Sequence, residues 1–291
     1  MARKAAPKSS RAREPENLQA HIDKALALSG RTDTSRIYQM MQFYFDPQLL
    51  HVERVDTERP SLFVSNHASW GWEGGFLPSA IREHTGMLPR LLTHADVMLG
   101  PLGDTLMNLG MVLANRKVCA ALMDAGESIL VFPGGAREGA KRRGELYKLF
   151  WEGRTGFVRM AIKHGFTITP VANIGPDEMW DIRWDRDDIA DTWVESLLRR
   201  VSGEMFDSNL IPPVPSGILG TLLPRPERLY IAFGEPFDTR PFAGREDDRA
   251  VLEAIKDAVQ AQLEELIKEA LLQRARRRHD MHWLRRLLAR Y

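Results

Sequence analysis

The chain has 291 residues, of which 44% are hydrophobic and 27% charged, with a formal net charge of +1. It is long enough to bury a sizeable core, and too evenly charged to be a global nucleic-acid binder. Cys119 is its only cysteine, which excludes an internal disulfide and a cysteine metal cluster and favours a reducing compartment.

Residues 1–15 are basic and poor in core-forming side chains, and are expected to form a disordered arm. The first thirty residues lack the apolar centre of a secretory leader. No run approaches the roughly 18 apolar residues of a spanning helix. The expectation is therefore a cytoplasmic protein associated peripherally with one membrane face. Residues 16–48 are expected to hold N-terminal helices. Leu18, Ile22, Ala25 and Leu26 recur at helical spacing, and a second helix over 34–45 carries Met40, Met41, Phe43, Tyr44 and Phe45. That Met-rich face suits either the core or a lipid surface.

Residues 49–245 read as an α/β core, a mixed and largely parallel central sheet flanked by helices. Strands are expected over 49–55, 61–65, 90–93, 111–114, 128–132, 167–171 and 228–233. Helices are expected over 73–84, 102–109, 117–125, 155–164 and 188–205. Residues 203–228 combine Ile218, Leu219, Leu222 and Leu223 with five prolines and three glycines, so no regular element is expected there. A long apolar loop needs cover from substrate, membrane or core. Residues 246–291 are expected to form a long helix and a basic amphipathic one. In the latter Trp283, Leu284, Leu287, Leu288 and Tyr291 share a face, with Arg285, Arg286 and Arg290 around it. It reads either as a helix lying in an anionic interface or as one docked on the protein's own core.

Two stretches carry candidate chemistry. The first, Ser65-Asn-His-Ala-Ser-Trp-Gly-Trp-Glu73, follows the apolar run Leu62-Phe-Val64, which puts His67 at the C-terminal edge of a strand, where open α/β sheets place their ligand sites. A histidine serves as a base only when its tautomer is fixed, and Glu73 is the nearby carboxylate. Six residues amount to about 240° around a regular helix, so the two meet only through an irregular turn, which Gly71 permits. The second stretch, Ile129-Leu-Val-Phe-Pro-Gly-Gly-Ala-Arg137, ends a buried strand at Pro133. Gly134 and Gly135 bare backbone N–H groups, and Arg137, Lys141, Arg142 and Arg143 follow. Bare amides and guanidinium groups suit an anion or a developing oxyanion. Neither a nucleotide P-loop nor a Gly-x-Ser-x-Gly elbow is present.

Together these stretches resemble the glycerolipid acyltransferase (PlsC-like) superfamily. Asn66, His67 and Ser69 match its Asn-His-x4-Asp motif, and Phe132, Pro133, Gly135 and Arg137 match its Phe-Pro-Glu-Gly-Thr-Arg motif. Gly110–Arg116 resembles the block between them, and the strand around Pro170 the block after. The carboxylate stands one residue later, as Glu73, while Gly134 and Ala136 replace the motif's Glu and Thr. That pattern is most similar to the branch containing diacylglycerol acyltransferase 2 and the phytyl ester synthases.

The resemblance implies an acyl-CoA-dependent O-acyltransferase that moves a fatty acyl group from a thioester to the hydroxyl of a glycerolipid or other lipid alcohol. His67 would be general base and Glu73 its orienting acid. Asn66, Ser69, Arg116, Phe132, Pro133, Gly134, Gly135 and Arg137 would line the substrates, with Arg137 and then Arg116 as phosphate contacts. No metal or resident cofactor is expected, since a thiol already leaves readily. The donor would be acyl-CoA or an acyl-carrier protein, and the acceptor a lipid. A membrane surface would be met through the C-terminal helix and the 210–224 loop. No nucleic-acid partner is expected. The alternatives are a catalytically silent lipid-binding member of the same fold and an α/β enzyme acting on a phosphorylated small molecule.

Overall fold

The computed structural model describes residues 17–28, 33–202, 211 and 213–290. The arm expected over 1–15 and the side chain of Tyr291 lie outside the described residues. The strands are β1 (Gln48–Leu50), β2 (Ser61–Ser65), β3 (Arg90–Thr93), β4 (Met111–Leu113), β5 (Ile129–Val131), β6 (Thr167–Ile174), β7 (Asp181–Trp184), β8 (Val214–Ser216) and β9 (Tyr230–Phe233). The helices before β5 are α1 (Leu18–Ala27), α2 (Ser35–Phe45), α3 (Leu77–Thr85), α4 (Ala95–Met98), α5 (Gly103–Asn108) and α6 (Arg116–Asp124). After it come α7 (Gly135–Gly139), α8 (Gly156–His164), α9 (Arg186–Ile189), α10 (Trp193–Ser202), α11 (Arg249–Arg276) and α12 (Trp283–Leu288).

Seven strands form one sheet in the order β1-β9-β6-β2-β5-β3-β4. All its pairings are parallel except β6 with β9. Parallel strands covered on both faces read as unbroken apolar runs, and Leu62, Phe63, Val64, Ile129 and Leu130 are all buried. Val64 pairs with Val131, so the segments after β2 and β5 leave the same edge of the sheet side by side. That register is what brings the two motifs together.

One face of the sheet is covered chiefly by α11, which buries Val251, Ile255, Val259, Leu263, Leu266 and Ile267. Asp248 caps it by accepting from the Ala250 and Val251 N–H groups. On the other face α2 and α3 pack Tyr38, Met41, Leu77, Ala80 and Ile81 against Phe63 and Leu130. Each fully buried Leu or Ile contributes roughly 1.5–3 kcal/mol, so these faces dominate the stability of the fold.

Several expectations are corrected. β1 stops at Leu50, because His51 turns left-handed (φ 60°) into a 3-10 turn over Val52–Arg54. α3 begins at Leu77 rather than at residue 73, since Trp70 and Gly71 interrupt the preceding turn. The helix expected over 188–205 is split into α9 and α10. Within 203–228, β8 forms a two-stranded antiparallel sheet with β7, a position where Pro215 is tolerated because the sheet has no further neighbour. Among the described residues, no helix is long and apolar enough to cross a membrane.

Candidate active site

After Ser65 the chain leaves β2 and enters a distorted 3-10 segment, Ser69–Gly75. Trp70 (φ 64°) and Gly71 (φ 71°) both adopt left-handed backbone, which replaces the regular helical turn that would hold His67 and Glu73 apart. The Glu73 carboxylate therefore folds back onto His67 Nδ1. The same oxygen accepts the Ala68 N–H at 2.9 Å. Glu73 is fully buried, whereas the His67 side chain keeps 19% of its surface exposed. A neutral imidazole bonded at Nδ1 to a carboxylate carries its proton there, leaving Nε2 as the basic nitrogen.

The ring is held flat against Phe132, with centroids 4.4 Å apart and planes 7° from parallel. Glycines border its far edge. A Cβ at position 71 would approach Cε1 to 3.1 Å, and one at 139 would lie 3.8 Å from Nε2. Without those side chains the Nε2 edge stays uncrowded. Burial pulls the imidazole pKa down, but the charge and hydrogen bond of Glu73, with Glu138 behind, outweigh it and raise the pKa overall.

Phe132 lies against His67, and Gly134 and Gly135 follow it at the start of α7. The Gly135 N–H donates to Phe132 O at 3.0 Å within the turn, so that amide is not aimed at a developing oxyanion. Gly134 presents its carbonyl, with that of Pro133, to Arg154 Nη1 at 2.5 and 3.0 Å. Arg137 forms a bidentate pair with Glu145 (2.7 and 3.0 Å) and lies 4.0 Å over the Phe150 ring, so it is engaged before any phosphate arrives. Lys141, expected as part of a basic patch, is fully buried between His67 O (2.6 Å) and Asp177 (2.7 Å). Arg143 is tied to Asp188 and to the carbonyls of β7.

Asn66 and Ser69 are fully buried in this structure and meet protein rather than solvent. The Asn66 side chain braces β6 by donating to Asn173 O (2.9 Å) and accepting from Asn173 N (2.8 Å). Ser69 gives its N–H to Asp177 at 2.9 Å. Arg116 opens α6 at the same sheet edge as His67 but three strands away, and its side chain is exposed. Glu138, Arg154 and Asp177 were not singled out as site residues by the sequence, and Lys141 entered only as part of the basic run after Gly135. Asp177 had a usable signal, since Gly-Pro-Asp-Glu follows β6 at the edge where the other site residues gather. Cys119 is buried, and burial pushes its thiol up to about 11, which removes it as a nucleophile. Two cavities, of about 360 and 440 Å³, lie away from the imidazole, one against α11 and the other around Arg59, Gly86 and Ser128.

The arrangement holds an oriented imidazole at a sheet edge, beside an apolar surface. Trp72, largely exposed, stacks on Trp180 at 4.9 Å. Trp180 in turn donates to Leu222 O at 2.9 Å, and Trp70 donates to Pro213 O at 2.6 Å. The apolar segment around 213–223 is thereby fastened next to the histidine turn, and its Leu219, Leu222 and Leu223 are exposed.

Residues 48–173 match the family model described as Acyltransferase. Phytyl ester synthase 1 of Arabidopsis thaliana is 28% identical over 242 residues, covering 76% of this chain and 33% of that protein. Diacylglycerol O-acyltransferase 2 of Dictyostelium discoideum is 29% identical over 220 residues, covering 70% of this chain and 64% of that one. The chain thus spans between a third and two thirds of these relatives' length. A crystal structure of the 1-acyl-sn-glycerophosphate acyltransferase PlsC from Thermotoga maritima aligns over 86% of this chain and 92% of its own, with a TM-score of 0.45 and 14% identity.

Proposed function

We infer that the chain, whose residues 48–173 match the Acyltransferase family model, transfers a fatty acyl group from a thioester to the hydroxyl of a neutral lipid alcohol. The observation that carries this reading is the His67–Glu73 pair, with Nδ1 held and the opposite ring edge left open between two glycines. His67 Nε2 takes the proton of the acceptor hydroxyl as that oxygen attacks the thioester carbonyl. The carbon–sulfur bond then breaks, and the thiolate leaves and recovers a proton. Glu73 stabilises the imidazolium that forms in between.

A neutral acceptor is favoured over a phosphorylated one by the pairing of the basic residues beside the site. Arg137, Lys141 and Arg143 each already face a carboxylate. The related proteins are named for phytyl esters and diacylglycerol, both built on alcohols without phosphate. Acyl-CoA is the proposed donor, with exposed Arg116 as a contact for its phosphates.

The protein meets a membrane through an apolar surface on two elements. In α12, Arg285 points inward to the carbonyls of Phe43, Tyr44 and Pro226, and Trp283, Leu284 and Leu287 are turned outward. Phe43 of α2, 86% exposed, adjoins them. The Tyr44 hydroxyl reaches Pro224 O at 2.6 Å, which links this face to the apolar 213–223 segment. Exposed Trp and Leu flanked by arginines is the pattern of a surface resting in an anionic interface.

The test is release of free CoA, with ester formation followed by chromatography, from purified protein given long-chain acyl-CoA and a panel of lipid alcohols. Ester with phytol-like alcohols or diacylglycerol in excess of lysophosphatidic acid is expected. Transfer to lysophosphatidic acid alone would contradict the neutral acceptor.

A further inference from the structure

Both polar groups of the His67 main chain are held by buried charges. Its N–H donates to Glu138 Oε2 at 2.9 Å, and its carbonyl accepts from Lys141 Nζ at 2.6 Å. Glu138 and Lys141 are fully buried, as is most of Asp177, which takes Lys141 Nζ at 2.7 Å and the N–H groups of Ser69 and Tyr147 at 2.9 Å each. The other oxygen of Glu138 accepts the Phe150 N–H at 2.8 Å.

We propose that Glu138 is the positioning residue of this site, setting where the His67 imidazole stands, and that position 134 is glycine because the Glu138 carboxylate fills the space a side chain there would occupy. The proposal rests on His67 acting as the base.

His67 lies past the end of β2, where the sheet no longer supplies partners for its backbone. A buried N–H in that position needs an acceptor, and a carboxylate gives a shorter, stronger bond than a neutral group would. Glu138 comes from α7 and grips the segments carrying His67 and Phe150 at once, fixing the distance between them. A Cβ built on Gly134 would lie 2.0 Å from the Glu138 carboxyl carbon and 2.1 Å from Oε1. Even alanine at 134 therefore evicts this carboxylate. In the motif that residues 132–137 resemble, the carboxylate stands at 134 itself. Here it comes from one helical turn later, and the glycine makes room for it. Being sealed from solvent, Glu138 acts through His67 and not on a substrate.

The test compares Gly134→Ala, Glu138→Ala and the double variant, with His67→Ala as control, in acyl transfer per folded protein. Each single variant is expected to lower kcat about 100-fold, the scale of a misplaced catalytic group, with KM nearly constant. The double variant should fall within about threefold of Glu138→Ala, because the carboxylate that alanine at 134 displaces is already gone. Losses that multiply in the double variant would overturn the proposal, as would singles that lower thermal stability while keeping kcat. Glu138→Gln supplies a second readout if the alanine variant does not fold. The charged groups facing His67 are Glu73 at Nδ1, Glu138 at the N–H and Lys141 at the carbonyl, with Asp177 behind Lys141. Removing the Glu138 charge disfavours the imidazolium, so the acidic limb of the rate profile should move to lower pH. A Glu138→Gln enzyme with unchanged kcat and an unmoved limb contradicts the proposal. Full turnover by His67→Ala would instead refute the base itself.

Discussion

His67 is fastened at every point except the edge that would meet a substrate. Glu73 holds Nδ1, Phe132 covers one ring face, and Glu138 and Lys141 hold the backbone. The net upward shift of its pKa has a kinetic consequence. A base works only when unprotonated, so activity should rise with pH through a value above the ordinary 6.5 of histidine. Glu73→Gln removes the anion that favours imidazolium, and its acidic limb should therefore lie below that of the wild type. The measurement is kcat/KM against pH for both proteins. The same limb in each would show that Glu73 does not tune the base. His67 and Glu73 stand out in the sequence through the motif they resemble, since a histidine just past a buried strand can equally line a turn. Their contact was not legible there, since it depends on Trp70 and Gly71 turning left-handed, and tryptophan gives no hint of that. The burial of Lys141 was equally hidden, because Lys-Arg-Arg reads as a solvated run until Asp177 is brought opposite it by the fold.

At the scale of elements, strands β2 and β3 were readable to their ends, as each is an apolar run bounded by proline, serine or histidine. The five-residue α7 is too short to show a period, and β8 was masked by prolines that are harmless in a two-stranded sheet. The C-terminal α12 was expected, but the inward turn of Arg285 was not. Helical spacing marks which residues share a face and is silent on which face is inside. Next to it, Glu227 is buried and accepts the backbone N–H of Arg290. Burial raises its carboxyl pKa to about 7. Between the unfolded value of about 4.3 and that point, the folded carboxyl keeps a proton that the unfolded chain releases. This group's contribution to stability consequently falls as pH rises through the window. Glu227→Gln should gain on the order of 2–3 kcal/mol at pH 8 and nothing near pH 4, measured by urea denaturation. An equal gain at both pH values would contradict the assignment.

Across the whole molecule, the sheet register brings the motif after β2 and the motif after β5 to one edge, and the exposed apolar side chains gather beyond it. Trp72, Leu219, Leu222 and Leu223 adjoin the histidine turn, and Phe43, Trp283, Leu284 and Leu287 continue the surface around Tyr44 and Pro224. In the function proposed above, this surface rests on the membrane that supplies the lipid alcohol. Replacing Trp283 and Leu287 by serine in the full chain should lower the binding constant for anionic vesicles, measured by flotation, by about 100-fold or more, losing roughly 1.5–3 kcal/mol of apolar burial per side chain. Turnover of a dispersed short-chain substrate should be spared. Unchanged flotation would remove α12 from the membrane contact.

The central claim is that His67 deprotonates the acceptor, and labelled acyl transfer by His67→Ala beside the wild type tests it most directly. A folded variant with no transfer above the uncatalysed background is the result predicted here. Turnover at the wild-type rate from that variant would contradict it.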